Sequence, residues 1–70
     1  MSINELESGA LITITEGTTS YDAIFVKAYE HHINFKHLTK SGNSYNTGLN
    51  LWDIQCGNAV IYFNDEKVTV

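Results

Sequence analysis

The chain has 70 residues and 43% hydrophobic residues, which is enough for one small domain, residues 1–70, with a limited core. Its formal net charge is −4 and its four cationic side chains are all lysines, which excludes a broad basic surface for non-selective nucleic-acid binding. The single cysteine, Cys56, excludes an intrachain disulfide and indicates a reducing compartment. The N-terminus lacks a signal-peptide pattern, and no apolar run approaches the roughly 20 residues that span a bilayer. We therefore expect a soluble, cytoplasmic protein without a membrane partner.

The first residues carry a helix signal that is followed by a strand signal. Ser2 and Glu5 have the S-x-x-E spacing in which a hydroxyl and a carboxylate cap a helix start reciprocally, so we predict one short helix that ends at Ser8-Gly9. From Ala10 onward, β-branched residues alternate over 11–15, which predicts the first strand, and residues 16–20 predict a turn.

The segment 21–38 is too long for one ordinary strand, and its apolar pattern changes parity. Apolar residues occupy even positions early in the segment and odd positions late in it: Ile24, Val26 and Ala28, then Ile33 and Phe35. Such a change predicts a bulge or a turn between the two sets. We place a tight connection at residues 30–32, between a second strand of about 21–29 and a third of about 33–39.

The rest of the chain predicts a loop and two further strands. The segments in order are a glycine-containing loop at 40–48, a fourth strand at 49–55, a turn at 56–58, a fifth strand at 59–63, and a turn at 64–67 before the last three residues. We therefore predict an all-β fold in which a short N-terminal helix precedes a five-stranded, strongly bent antiparallel sheet, as in a small open barrel. An open barrel has unpaired edges, so we expect identical copies to pair.

Two segments carry motifs at fixed spacing: residues 24–35, with Val26, Tyr29, Glu30, Ile33 and Asn34, and residues 55–61, with a turn at Gly57. Both resemble signatures of the Sm-like (LSm/Hfq-type) family, whose first signature is glycine, leucine, aromatic, Asp, Met and Asn. The matching positions are Val26 on the leucine, Tyr29 on the aromatic residue, Glu30 on the Asp, Ile33 on the Met and Asn34 on the Asn. Residues 55–61 resemble the family's Arg-Gly turn, with Gly57 on the glycine. The chain departs from the pattern at Ile24, where the family has glycine, and at Cys56, where it has arginine.

The resemblance implies a non-enzymatic homo-oligomeric ring of about five to seven subunits that binds RNA weakly where two turns meet at the lumen. The implied nucleic-acid contacts are Glu30, His32, Asn34, Cys56, Gly57 and Asn58. His32 would stack on a base, Asn34 would hydrogen-bond to the edge of that base, and Gly57 would allow close approach of the backbone. The alternative is that Asn34 bridges backbone groups in a turn and that His32 is an exposed loop residue.

The histidines and the cysteine form no metal-binding or catalytic pattern. His31 and His32 are neighbours, and neighbouring strand residues point to opposite faces, so we do not expect them to chelate one ion together. No Cys-x-x-Cys pair is present, and no third group is indicated that would orient a histidine beside Cys56. We therefore expect Cys56 to pack as a small apolar side chain. The glycines are dispersed, so we predict no phosphate-binding loop, no cofactor, no metal and no catalytic residue.

Two aromatic residues remain outside these patterns. We expect Trp52 to lie in the core or in a subunit interface, because a small domain can hardly leave an indole in water. Tyr45 lies in the glycine-flanked loop, where it is either a binding contact or an anchor for the loop.

A different class of function is also compatible with the sequence. A small acidic inhibitor or adaptor, such as a phage protein, would dock on a host protein by an edge strand or by mimicking nucleic-acid charge. The eight acidic residues are scattered and form no run, which weighs against charge mimicry. The composition leans toward Asn, Ile and Lys, which is associated with AT-rich bacterial or phage genomes.

Overall fold

Strands make up most of the chain in a computed structural model that describes residues 1–70. The elements in chain order are a 3-10 turn at Ile3–Glu5, β1 (Leu11–Glu16), β2 (Thr19–Ala28), β3 (His32–Leu38), β4 (Ser44–Asn50), a short helix α1 (Leu51–Gln55), β5 (Ala59–Phe63) and β6 (Glu66–Val68). The strands form one antiparallel sheet in the order β4-β3-β2-β1-β5-β6. The prediction of a small all-β fold is confirmed, and the number of strands is six rather than five.

The predicted N-terminal cap is present, but it starts a single 3-10 turn that ends at Glu5, so the predicted helix up to Ser8-Gly9 is wrong. The Ser2 hydroxyl oxygen accepts from the Asn4 N–H at 3.2 Å, and the Glu5 carboxylate accepts from the Ser2 N–H at 3.2 Å. Ile3 and Leu6 are buried in the core, so the turn attaches the N-terminus to the sheet through two apolar side chains.

The hairpin of β2 and β3 lies where the change of parity predicted a connection, and the parity itself changes inside β2. The pairing of these strands shifts between Phe25 and Lys27, which makes Val26 a bulge. Before the bulge, Ala23 and Phe25 are buried, and after it Ala28 packs against the core. The bulge therefore turns Lys27 to the face of the sheet opposite the core.

The core lies on one face of the sheet, which we call the inner face. Its most deeply buried side chains come from five strands and include Ile12, Ile14, Phe25, Ile33, Phe35, Ile61 and Val68. No polar or charged residue is buried, so apolar packing alone forms the interior. Residues of β4 are exposed or half-buried, so the core ends at β3.

The region 44–55 differs from the prediction. Strand β4 begins at Ser44, inside the predicted loop, and the predicted fourth strand is divided between the end of β4 and the helix α1. Leu51 and Ile54 both pack against the core, and their spacing of three residues places them on one side of a helix. The predicted bounds of the loop and of the fourth strand are therefore wrong, because β4 ends at Asn50 and α1 begins directly after it.

The end of α1 carries two further corrections. Cys56 is exposed, so the predicted packing role for this cysteine is wrong. Trp52 is 65% exposed, so the first of its two predicted places, the core, is wrong, because the inward side of this short helix is occupied by Leu51 and Ile54. The second, a subunit interface, stays a prediction. No helix in the structure has the length and apolar character needed to cross a membrane.

The two edges of the sheet differ. The edge at β6 is paired with the N-terminal residues: the Ile3 N–H donates to the Thr69 carbonyl at 2.7 Å, and the Thr69 N–H donates to the Met1 carbonyl at 2.7 Å. The edge at β4 pairs only with β3, and no other segment lies along its far side. The sheet therefore has one covered edge and one open edge.

Candidate nucleic-acid interface

Polar side chains collect on the face of β2, β3 and β4 that points away from the core. On β3, the buried residues Ile33 and Phe35 alternate with residues that point to this outer face. Cross-strand pairing brings the neighbouring members of β2 and β4 alongside them. We call this group the outer patch, and its members are Lys27, Tyr29, His32, Asn34, Lys36, Asn46 and Gly48.

An aromatic pair forms one end of the outer patch. The rings of Tyr29 and His32 are stacked, with centroids 4.7 Å apart and an angle of 14° between their planes. The turn sets this geometry, because the Tyr29 N–H donates to the His32 carbonyl at 2.7 Å and so places the two residues opposite each other. The Lys27 ammonium nitrogen lies 5.2 Å from the centre of the Tyr29 ring. Both aromatic residues are exposed, so the pair presents a flat surface to solvent.

An amide lies beside this aromatic pair on the same strand. Asn34 is two residues from His32, and no hydrogen bond within the chain uses its side chain. The expected alternative, in which Asn34 bridges backbone groups in a turn, is therefore wrong, because the residue lies within β3. Its donors and its acceptor are left for a ligand or for water.

Gly48 lies next to Asn34 and has no side chain, so nothing projects from the outer face at this position. A Cβ at this position would lie 2.6 Å from the Ile33 carbonyl oxygen and 3.1 Å from the Asn34 amide oxygen, so only glycine fits without movement. A shallow cleft of about 400 Å³ opens beside it, lined by Val26, Asn34, Phe35, Asn46 and Thr47. The two asparagine side chains thus line an open cleft on the outer face.

The charge of the outer patch is opposite to that of the whole chain. Lys27 and Lys36 belong to it, whereas the chain as a whole has a net charge of −4. Two carboxylates lie at its borders. Asp22, near the far end of β2, accepts a hydrogen bond from the Thr13 hydroxyl at 3.4 Å, and the Glu30 carboxylate lies 3.8 Å from the imidazole of His31 in the turn. The patch itself therefore offers cations and no anion.

The predicted contact residues divide into two groups. His32 and Asn34 belong to the outer patch, and Glu30 lies at its border. Cys56, Gly57 and Asn58 follow the other end of α1 and make no hydrogen bond with residues 29–34.

The contacts at the two ends of α1 show this separation. The helix begins where the Leu51 N–H donates to the His31 carbonyl at 2.9 Å, and it ends where the Cys56 N–H donates to the Trp52 carbonyl at 3.0 Å. Cys56 and Gly57 line a groove of about 320 Å³ shared with the C-terminal residues 67–70. The second turn therefore faces the β6 end of the sheet.

A second polar cluster lies on the inner face beside β4 and consists of Glu16, Tyr21, His37 and Tyr45. We call this part of the inner face the open rim. The Tyr21 hydroxyl donates to the Glu16 carboxylate at 2.6 Å, and its ring stacks on His37 with centroids 4.0 Å apart. The Tyr45 hydroxyl lies 2.6 Å from His37 Nδ1, so of the two roles expected for Tyr45, the structure shows an anchor between β4 and β3. Burial raises the pKa of Tyr21, and the hydrogen bond to the Glu16 carboxylate and its negative charge raise it further.

The cluster at the open rim borders a groove of about 560 Å³ that also includes Thr39 and Lys40. Its members Tyr21, His37 and Tyr45 are already engaged by stacking and hydrogen bonds with one another and with Glu16, so these side chains are not free for a ligand. Nowhere in the chain do three His, Cys, Asp or Glu side chains come close enough to hold a metal ion. The outer patch, with its unengaged amide and its exposed rings, is the stronger candidate for a binding site.

A scan against protein-family models found no match, and searches of the curated proteins and of the solved structures found none either.

Proposed function

We propose that this chain is a non-enzymatic binding protein that holds a short single-stranded segment of nucleic acid, RNA foremost, on the outer patch. The observation that carries the proposal is the stacked pair of Tyr29 and His32 with Lys27 beside it and the free amide of Asn34 next to it on β3. Sheet surfaces that bind single-stranded nucleic acids combine aromatic rings for stacking, amides for hydrogen bonds to base edges, and cations for phosphate contacts.

Each group has a distinct role in this proposal. A base stacks on the exposed ring of Tyr29 or His32, and such stacking stabilises a complex by about 1–3 kcal/mol per base. Asn34 and Asn46 donate to and accept from the edges of unpaired bases. Lys27 and Lys36 contact phosphates. Along β3 the distance from His32 to Lys36 is about 13 Å, and sheet surfaces of this kind stack two or three bases.

The charge of the chain predicts weak and selective binding. Only two cations belong to the outer patch, so few counterions are released and little affinity comes from phosphate contacts alone. With two phosphate contacts, the logarithm of the association constant should fall with the logarithm of salt concentration with a slope of about −1.4. A duplex cannot expose its bases to the rings, so single strands are preferred.

The Sm-like resemblance and the prediction of self-association belong to the same proposal. An N-terminal turn followed by an antiparallel meander fits what the resemblance implies, and β6 and α1 are additions to it. Copies that assemble would multiply weak contacts along one strand of nucleic acid.

Fluorescence anisotropy with labelled U-rich and A-rich RNA oligomers and the matching DNA strands tests the proposal. We expect binding at low salt, a loss of about tenfold or more for Tyr29→Ala and for His32→Ala, and weaker binding of a duplex of the same length. Tyr62→Ala is the matched control, since Tyr62 is an exposed tyrosine on β5, outside the outer patch. No binding of any single strand at low salt would contradict the proposal.

One observation favours the second candidate, a small acidic adaptor that docks on a host protein by an edge strand. The open edge of β4 is suited to such docking, because an extended partner segment can pair with it through backbone hydrogen bonds. A pull-down from host extract distinguishes the two: enriched RNA supports the first candidate, and one dominant protein that is lost on changing β4 supports the second.

A further inference from the structure

The pairing of β4 with β3 fixes which of its backbone groups are free. The Leu51 N–H donates to the His31 carbonyl at 2.9 Å, which makes the facing residues His32 and Asn50 a pair without mutual hydrogen bonds. The alternate residues of β4 that begin with Leu49 and include Thr47 exchange hydrogen bonds with β3. The N–H and C=O groups of the alternate residues Ser44, Asn46 and Gly48 therefore point away from the sheet.

The open edge lacks the features that keep edge strands apart. Proteins commonly protect edges with proline, charged residues, bulges or a covering segment. Strand β4 contains neither proline nor charge, and its register with β3 runs without a shift from Ser44 to Asn50. The edge at β6, in contrast, is covered by the N-terminal residues.

The lack of charge on β4 makes this edge the place where a second copy of the same strand can pair. The chain has a net charge of −4, so two copies repel each other over most of their surfaces. Of the two edge strands, β4 (Ser-Tyr-Asn-Thr-Gly-Leu-Asn) carries no charge, whereas β6 begins with Glu66 and Lys67. Two β4 strands therefore meet without like charges facing each other.

We propose that two copies pair through β4, antiparallel and around a twofold axis at Thr47. The free backbone N–H and C=O groups of Asn46 then face those of Gly48 of the second copy, and by symmetry Gly48 faces Asn46 of the second copy. Each pair exchanges two hydrogen bonds, so these two pairs give about four backbone hydrogen bonds. In this register the two β4 strands overlap over their whole length: Ser44 lies opposite Asn50 of the second copy, and Asn50 lies opposite Ser44 of the second copy.

The side chains fit the same register. On the inner face, Tyr45 lies opposite Leu49 of the second copy, and Thr47 lies opposite its own counterpart, which are favourable cross-strand pairs. On the outer face, Asn46 lies opposite Gly48 of the second copy, where the missing side chain leaves room for the amide.

The open edge also bears on the ring that the resemblance implies. A ring closed by strand pairing needs two different free edges on each copy, whereas a twofold pair uses one edge twice. The covered edge at β6 leaves this chain with one. The twofold pair places both outer patches on one continuous face, and it forms whether or not the outer patch binds nucleic acid.

Mass measurement in solution by light scattering, over a range of protein concentrations, tests the pairing. We expect a mass that approaches twice 7.8 kDa as the concentration rises. Thr47→Lys places like charges opposite each other at the axis and should give a monomer, whereas Thr18→Lys, in an exposed turn, should leave the dimer unchanged. Circular dichroism establishes that both variants are folded.

A disulfide tests the register itself. Facing residues in a pair without mutual hydrogen bonds have Cα atoms about 4.5 Å apart, within the range that a disulfide spans. Thr47→Cys combined with Cys56→Ser should form a covalent dimer on mild oxidation, and Ser20→Cys with Cys56→Ser should not. A monomer at every concentration, a mass of five to seven subunits, or a dimer that Thr47→Lys leaves intact would each overturn the proposal.

Discussion

The β6 end and the β4 end of the sheet are stabilised by different means. At the β6 end, Ala59, Ile61 and Val68 are at most 1% exposed, and the N-terminal residues pair along the edge. At the β4 end, Tyr45 is 51% exposed, Leu49 is half-buried, and the far side of the strand is open. Apolar burial holds the first end, whereas backbone pairing and the contact of Tyr45 with His37 hold the second. We call the β6 end, with its fully buried side chains, the closed end, and the β4 end, with its unpaired strand edge, the open end.

The largest difference should appear when an apolar side chain is shortened at each end. Ile61→Ala leaves a cavity in the core and should lower the free energy of unfolding by about 2–5 kcal/mol, which is most of the stability of so small a domain. Leu49→Ala, at the open end, should cost about 1 kcal/mol, because its side chain already contacts water. Urea unfolding followed by circular dichroism measures both. Equal losses would show that the core extends to β4.

Adding one methyl group tests how closely β4 approaches β3. In Gly48→Ala the new Cβ would meet the Ile33 carbonyl oxygen at 2.6 Å, so the strands must move apart, with an expected cost of about 1–3 kcal/mol. Asn46→Ala, on the same strand, is the control and should have little effect on stability. Hydrogen exchange should be faster in β4 of Gly48→Ala, while β5 is unchanged. A fully stable Gly48→Ala would mean that the two strands are less closely packed.

Alkaline pH should weaken the open rim through Tyr21. Burial and the carboxylate of Glu16 raise the pKa of Tyr21 in the folded chain, so the folded state keeps this hydroxyl protonated while the unfolded chain ionises it near pH 10. The resulting stability is complete below about pH 10 and is lost as the pH rises toward the higher folded pKa. Urea unfolding at a series of alkaline pH values should show this fall, and Tyr21→Phe should reduce it. An identical fall in both proteins would assign it to other groups.

The smallest expected effect is on the salt dependence of nucleic-acid binding. Lys36→Ala removes one phosphate contact and should reduce the slope of log affinity against log salt by about 0.7. Lys67→Ala, on β6 at the closed end, should leave the slope unchanged. Anisotropy titrations at several salt concentrations measure both slopes. Equal changes for the two lysines would mean that the charge acts at long range and that the outer patch is not the place of contact.

The sequence predicted the parts of the fold whose signals are local. The cap at Ser2 and Glu5 depends on two residues three positions apart and is confirmed, and a hairpin turn lies at the predicted connection. The parity argument behind that connection is wrong in its residues, because Ala23 and Phe25 are buried before the turn rather than Ile24 and Val26. The division of residues 44–55 was missed, because Leu49 and Leu51 have the spacing of a strand while Leu51 and Ile54 have the spacing of a helix. Packing against the core decides between the two patterns, and a short segment does not reveal that packing.

The candidate site was predicted in part for a related reason. His32 and Asn34 lie on the outer patch, where their spacing of two on one strand places them together. Lys27 joins them only because the bulge at Val26 reverses its direction, and Gly48 joins them only because a predicted loop is a strand. Which side chains meet across strands depends on register, and register follows from tertiary pairing.

Nuclear magnetic resonance of the ¹⁵N-labelled chain, titrated with a short single-stranded RNA, tests the role of the outer patch most directly. The predicted result is a set of shifted amide signals confined to residues 27–36 and 46–48, with the largest changes next to Tyr29 and His32. Shifts confined to residues 56–58 and 67–70, or no shifts at all, would contradict binding at the outer patch.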